Sequence, residues 1–168
     1  MTFVMVAREA GITPQGLRRY FRNIEDLREV SLKYIRILGQ QMALDRISQI
    51  RDPVKLFCEY VRVHFIWTKV YKTHARVWLS FLSSCPRQKK DRQLNQLAVE
   101  AGHDRIVELI HAGVQACVFN CAQPRVAAHL VRTVITGWTL CLLTEELKNE
   151  TQMTEAIIEQ CLRIVGHF

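Results

Sequence analysis

All four prolines of the chain, Pro14, Pro53, Pro86 and Pro124, stand at breaks between stretches of helical period. Proline lacks an N–H and its ring clashes with the carbonyl four residues back, so a helix tolerates it only in its first turn. Between these breaks apolar residues recur at three- and four-residue steps, and no segment alternates apolar and polar residues between turn signals. That periodicity predicts an all-α chain with short connections.

The helices can be placed from their caps. A first segment covers about Phe3–Ala10 and ends at Gly11; a second opens with Thr13 as N-cap and Pro14 in the first helical position. Asn23, with Asp26 three residues on, reads as the N-cap of a long helix running to about Ile50, with Ile24, Leu27, Ser31, Tyr34, Leu38 and Met42 on its apolar face. Asp52 and Pro53 open a helix to about Val70, and "YKTHARVWLSFLSSCP" is a shorter one stopped before Pro86. The remaining helices are expected over about Gln88–Phe119, Pro124–Leu147 and Thr151–Val165. The basic run "RQKKDR" is read as a solvated helix end.

At 168 residues and 49% hydrophobic, the chain can bury one core or two small ones. The longest apolar stretch, "TVITGWTLCLL", is too short to span a bilayer and no signal-peptide pattern opens the sequence, so a cytoplasmic protein is expected. The six cysteines have no regular spacing and fall within apolar helical patterns, which predicts buried thiols. A net charge of +7 favours an acidic partner such as nucleic acid. Within residues 1–36, seven basic groups against four acidic ones leave +3.

The tight junction at Gly11–Pro14 is the geometry of a helix-turn-helix, which sets the second helix across the first so that its N-terminal half can enter a major groove. Leu17 and Phe21 are expected to pack inward with Val6 and Ala10, which leaves Gln15, Gly16, Arg18, Arg19 and Tyr20 outward. Glutamine can read adenine, arginine can read guanine or hold phosphate, and glycine permits close backbone approach.

The run "VAREAGITPQGLRRYFRNIEDL" resembles the DNA-binding segment of the TetR family of repressors, whose usual form is I-A-x-x-A-G-V-S-x-x-x-L-Y-x-H-F-x-x-K-E-x-L. Ala7, Ala10, Gly11, Thr13, Leu17, Phe21, Glu25 and Leu27 stand at matching positions; Arg18, Tyr20 and Ile24 depart from the usual tyrosine, histidine and lysine. Gln15, Gly16 and Arg19, in the first turns of the recognition helix, are expected at bases and Thr13, Arg18, Tyr20 and Arg22 mainly at phosphates, with Pro14 in the same DNA-binding segment. The resemblance implies an amphipathic helix ahead of the motif, of which Met1 and Thr2 are too short to form any part; the expectation is a mobile helix-turn-helix or a longer product.

Residues 37–168 are similar to the family's ligand-binding and dimerisation domain, with echoes of the choline-sensing repressors of betaine synthesis in "FIWTKVYKTHARVWLSF" and "RVAAHLVRTVITGWTLCLL", where Thr136 replaces an aspartate. What this implies is a small-molecule effector beside Trp67, Tyr71, Trp78, Phe81 and Trp138, whose faces suit a quaternary ammonium. The broad apolar coverage of the last two helices points to a homodimer through Ala127, Val131, Val134, Ile158 and Leu162.

Two E-x-x-H spacings, Glu100–His103 and Glu108–His111, match the ligand spacing of di-metal helical bundles, but both fall on one helix and cannot ring one metal pair. With no nucleophile–base set and no phosphate loop, neither an enzyme, a metal nor a cofactor is expected. The sequence reading is therefore a homodimeric regulator released from a palindromic double-stranded DNA operator by a small molecule, the alternative being an all-α ligand-binding or dimerisation protein that has lost DNA binding.

Overall fold

The structure, a computed structural model, describes residues 2–167, which form eight α-helices and no strand. They are α1 (Phe3–Glu9), α2 (Pro14–Arg18), α3 (Ile24–Ile47), α4 (Pro53–Val70), α5 (Lys72–Ser84), α6 (Lys89–Gln115), α7 (Pro124–Thr144) and α8 (Glu150–Ile164). The chain divides into two compact units, and the division falls inside α3, after Leu38.

In the first unit α1 and α2 pack on one another, burying Ala7 and Leu17. The entry to α3 is fixed by Asn23, whose Oδ1 accepts from the Asp26 N–H at 2.8 Å while Asp26 Oδ2 accepts from the Arg22 N–H at 2.9 Å. This satisfies N–H groups that no helical carbonyl reaches. In the N-terminal part of α3, Leu32 and Ile35 are buried whereas Tyr34, expected inward, is 58% exposed. One residue is about 100° of rotation in a helix, so a stripe centred on Ile35 turns Tyr34 to the side.

The second unit is built around α4, α6, α7 and α8. Asp52 caps α4 by accepting from the Lys55 N–H at 2.7 Å, with Pro53 behind it. Phe57, Val61 and Phe65 then recur at four-residue steps and are completely or almost completely buried. They meet Ile106 and Ile110 of α6, Ala128, Val131 and Ile135 of α7, and Ile158, Cys161 and Val165 of α8 in one core. Each large side chain so buried contributes about 1.5–3 kcal/mol relative to exposure. Gly113 admits the Phe119 ring so closely that a Cβ there would overlap it, and that ring meets Phe57 edge-on at 5.5 Å. Around the rim, Arg46, Glu59, Arg62 and Glu155 form a chain of ion pairs at 2.6–3.2 Å joining α3, α4 and α8.

This core alters three expectations. Ala127, Val131 and Ile158, expected at a dimer contact, lie in the chain's own core, and Val134 and Leu162 pack against it. The inward positions of α7 and α8 are consumed by α4 and α6, and the apolar residues that remain outside are Val126, Leu130 and Leu140 of α7 and Met153 of α8. The cysteines are not uniformly buried: Cys85 and Cys161 are, Cys58, Cys121 and Cys141 are half-buried, and Cys117 is exposed beyond the end of α6. Finally, α7 is 21 residues long and, by length and composition, is the one helix among the described residues apolar enough to cross a membrane. Its apolar pattern extends beyond the short run visible in the sequence because the helix begins at Pro124, well ahead of that run, and one of its faces belongs to the core.

Candidate nucleic-acid interface and ligand cavity

The turn between α1 and α2 follows from Gly11 and Thr13. Gly11 adopts φ 68°, a left-handed conformation open to glycine without a Cβ clash. Around it the Ile12 N–H donates to the Ala7 carbonyl at 3.0 Å and the Gly11 N–H to that of Arg8 at 3.1 Å, the paired bonds of a Schellman closure. Two residues later Thr13 Oγ1 accepts from the Gly16 N–H at 3.0 Å, with Pro14 at the first helical position. A Cβ at Gly16 would stand 3.2 Å from that same Oγ1, so the cap and the glycine are mutually fitted.

With Leu17 buried, Thr13, Pro14, Gln15, Arg18, Arg19, Tyr20 and Arg22 are all exposed and Gly16 is half-buried. Tyr20 is 78% exposed. Helix α2 is a single turn and a half: Gln15 and Gly16 lie in its first turn, Arg18 ends it and Arg19 is its C-cap. Arg19 and Tyr20 therefore present from the turn after the helix rather than from its opening. Ala7, and not Ala10, is the α1 residue that packs inward; Ala10 is the exposed C-cap, while Val6 and Phe21 are half-buried. Of the cationic groups, Arg22 is in loose contact with Asp26 at 3.7 Å with its side chain 88% exposed.

The five aromatic residues expected around an effector are held in the second unit in different ways. Trp67 meets Tyr71 with ring centroids at 6.4 Å, and Trp78 meets Phe81 at 5.3 Å. Trp138 is buried in the core and donates from Nε1 to Thr154 Oγ1 at 3.2 Å. The Trp67 Nε1 is buried without an acceptor, beside Gly39. Thr136 directs its hydroxyl to the Arg132 carbonyl at 2.9 Å.

A cavity of about 530 Å³ opens elsewhere in this unit, between α6 and α7, and none of those aromatics borders it. Its wall includes Arg92, Asn95 and His103 from α6 and Arg125, His129 and Arg132 from α7. The sequence reading did not single it out. The His103 and His129 rings meet at a tilt of 38° with centroids 4.2 Å apart, and burial, reinforced by His129, Arg125 and Arg132, pulls the His103 imidazole below its ordinary value. Of the E-x-x-H residues, His103 is buried while Glu100, Glu108 and His111 are exposed. Among the described residues no three His, Cys, Asp or Glu side chains are grouped to hold a metal ion.

No protein-family model and no curated protein matches the sequence. Solved structures do share its fold. A protein from Rhodococcus sp. assigned to the TetR family of transcriptional regulators superposes with a TM-score of 0.85 at 15% identity, over 98% of this chain and 87% of that one. AibR in complex with isovaleryl coenzyme A and operator DNA gives 0.75 at 16% identity, over 96% and 87% of the two chains. The TetR family transcriptional regulator PfmR from Thermus thermophilus gives 0.74 at 14% identity, over 97% and 88%. At this level of identity the fold is what is shared, and the chain is built on the all-helical fold of TetR-family regulators.

Proposed function

We propose that the chain is a cytoplasmic, homodimeric DNA-binding transcriptional regulator of the TetR type, released from a palindromic operator by a small molecule bound in its second unit. The observation that carries this reading is the Gly11–Thr13–Pro14 junction, which buries Ala7 and Leu17 and leaves Gln15, Arg18, Arg19, Tyr20 and Arg22 on one short, basic, solvent-facing stretch. AibR, with the same fold, was solved with operator DNA and isovaleryl coenzyme A. In this reading Gln15, Gly16 and Arg19 contact bases, Thr13, Arg18, Tyr20 and Arg22 contact phosphates, and Pro14 belongs to the same DNA-binding segment. Two recognition helices about 34–36 Å apart, or a multiple, reach successive major grooves. A ligand-driven displacement of α3 that changes this spacing would release both. The effector's class is left open: Thr136, which stands where the choline-sensing group has an aspartate, brings no carboxylate to balance a quaternary ammonium.

The test is affinity for selected DNA sites against salt concentration. Arg22→Ala should weaken binding to all sequences and reduce the salt slope by about one unit, whereas Gln15→Ala should cost about 1–3 kcal/mol at one base position only. Loss of any preference over random DNA in the wild-type protein would leave the second reading, a DNA-free ligand-binding dimer. That reading is favoured by the thin packing of α1 and α2, where Val4 and Met5 are 60% and 59% exposed.

A further inference from the structure

Four buried polar side-chain atoms among the described residues have no hydrogen-bond partner, and three of them, Asn95 Oδ1, His103 Nδ1 and Arg132 Nε, belong to residues that line the α6–α7 cavity. Buried polar groups in folded proteins are almost always satisfied, so three orphans at one place mark a group that the chain does not itself supply. The nature of that group follows from the charges. Arg132 is half-buried, makes no ion pair with any described carboxylate, and donates only from Nη2 to His129 Nδ1 at 3.3 Å. Arg125 reaches Asp104 at 3.5 Å, Glu100 accepts from Gln96 at 2.9 Å, and Arg92 donates to the backbone carbonyls of Cys85 and Pro86. The wall thus carries three guanidinium groups and two imidazoles against two carboxylates that are already engaged.

We propose that this cavity binds a small organic anion through a carboxylate or phosphate group, held by Arg132, His103 and Asn95. Arg132 supplies a charge-assisted donor from a guanidinium that otherwise lies uncompensated, and His103, 5% exposed, supplies a ring nitrogen beside the His129 ring. The Asn95 amide presents either its oxygen or, turned over, its NH₂. A volume of about 530 Å³ exceeds that of a bare ion and falls within the range of small-molecule sites, so the anionic group has an organic body attached. Arg125, His129 and Arg132 follow one stripe of α7 while Arg92, Asn95 and His103 follow one stripe of α6. The site is therefore built by the register of two helices that the core itself locks. It is independent of the DNA-binding reading, since it lies within the second unit and is measured without DNA.

The experiment is calorimetric and NMR titration of the full chain with sodium phosphate in one arm and sodium citrate in the other, each against chloride at matched ionic strength. At least one arm should saturate with one site and shift the His103 imidazole resonances; the arm that binds more tightly distinguishes phosphate from carboxylate chemistry. Arg132→Gln should weaken that binding at least tenfold, while Arg76→Gln in α5, an equal loss of charge at an exposed position outside the cavity wall, should leave it unchanged. The imidazole shift needs no variant and decides the matter if Arg132→Gln does not fold. No saturable binding above chloride in either arm, unmoved His103 resonances, or undiminished binding by Arg132→Gln would each overturn the proposal.

Discussion

Two helix ends show how far single residues decide this structure. Gly11 closes α1 at φ 68°, and Cys117 closes α6 with the same paired bonds, Val118 N–H to Gly113 carbonyl at 3.0 Å and Cys117 N–H to Val114 carbonyl at 3.0 Å, but at φ 56° with a side chain present. A left-handed residue with a Cβ costs about 1–2 kcal/mol, against which glycine loses about 0.5–1 kcal/mol more backbone entropy on folding. Cys117→Gly should therefore raise stability by up to about 1.5 kcal/mol, read as a higher urea midpoint with an unchanged slope. Gly113→Ala should do the opposite by several kcal/mol, because the added methyl meets the Phe119 ring and that ring is wedged against Phe57. These positions also explain what could be read beforehand. The first closure is legible because Gly11 is followed by Thr13 and Pro14, whereas the second has no glycine to announce it, so the α6 pattern reads on to Phe119. The α6 helix ends at Gln115 because Phe119 must turn back onto Gly113.

At the scale of elements, α2 depends on its cap and α7 on what covers its outer face. Thr13→Ala removes the side-chain acceptor for the Gly16 N–H and should cost about 1 kcal/mol, seen as faster amide exchange at Gly16 and Leu17 with no change in the second unit and, under the proposed function, as weaker DNA binding. Helix α7 divides its apolar residues between two faces. Ala128, Val131 and Ile135 enter the core, while Val126 and Leu130 are each 52% exposed and Leu140 is 44% exposed on the opposite side, with Thr133 and Gly137 exposed at intervening turns. Val126, Leu130, Thr133, Gly137 and Leu140 fall at three- and four-residue steps, a helix-packing stripe left exposed among the described residues. In the homodimer proposed above, this stripe would be the contact. Leu130→Glu should give monomer at micromolar concentration by sedimentation, whereas Leu97→Glu, at a leucine of α6 that is 63% exposed, should not. The sequence showed that both faces of α7 are apolar, but hydrophobicity alone cannot say which face the chain's own α4 and α6 will take. That choice is made by the register of helices distant in sequence.

For the molecule as a whole, the all-α class and nearly every helix start were legible because caps and prolines act locally: Asn23, Asp52, Pro53 and Pro124 do what their spacing implies. The α6–α7 cavity was not, because Asn95, His103 and Arg132 acquire meaning only when two helices bring them together. The same meeting of helices predicts how stability depends on pH. His103 is pulled below its ordinary value by burial and by His129, Arg125 and Arg132, with Asp104 acting the other way. His64 is lowered by burial, opposed by the contact of its Nδ1 with the Tyr60 carbonyl at 2.8 Å. Both imidazoles thus resist protonation in the folded chain and accept it in the unfolded one. Between the two values the unfolded state binds more protons, so stability is fully present above the ordinary histidine value of about 6.5 and declines as pH falls toward the lowered folded values. Each group can contribute a slope of at most about 1.4 kcal/mol per pH unit over that window. The urea midpoint at fixed protein concentration, in buffers free of phosphate and carboxylate, should therefore fall between about pH 7.5 and 5.5. Replacing both histidines by glutamine should flatten the profile, and His103→Gln alone should remove part of it. A midpoint that stays constant or rises on acidification of the wild-type protein would show that these two imidazoles are solvated in the folded state, and the burial that shapes the cavity wall would have to be redrawn.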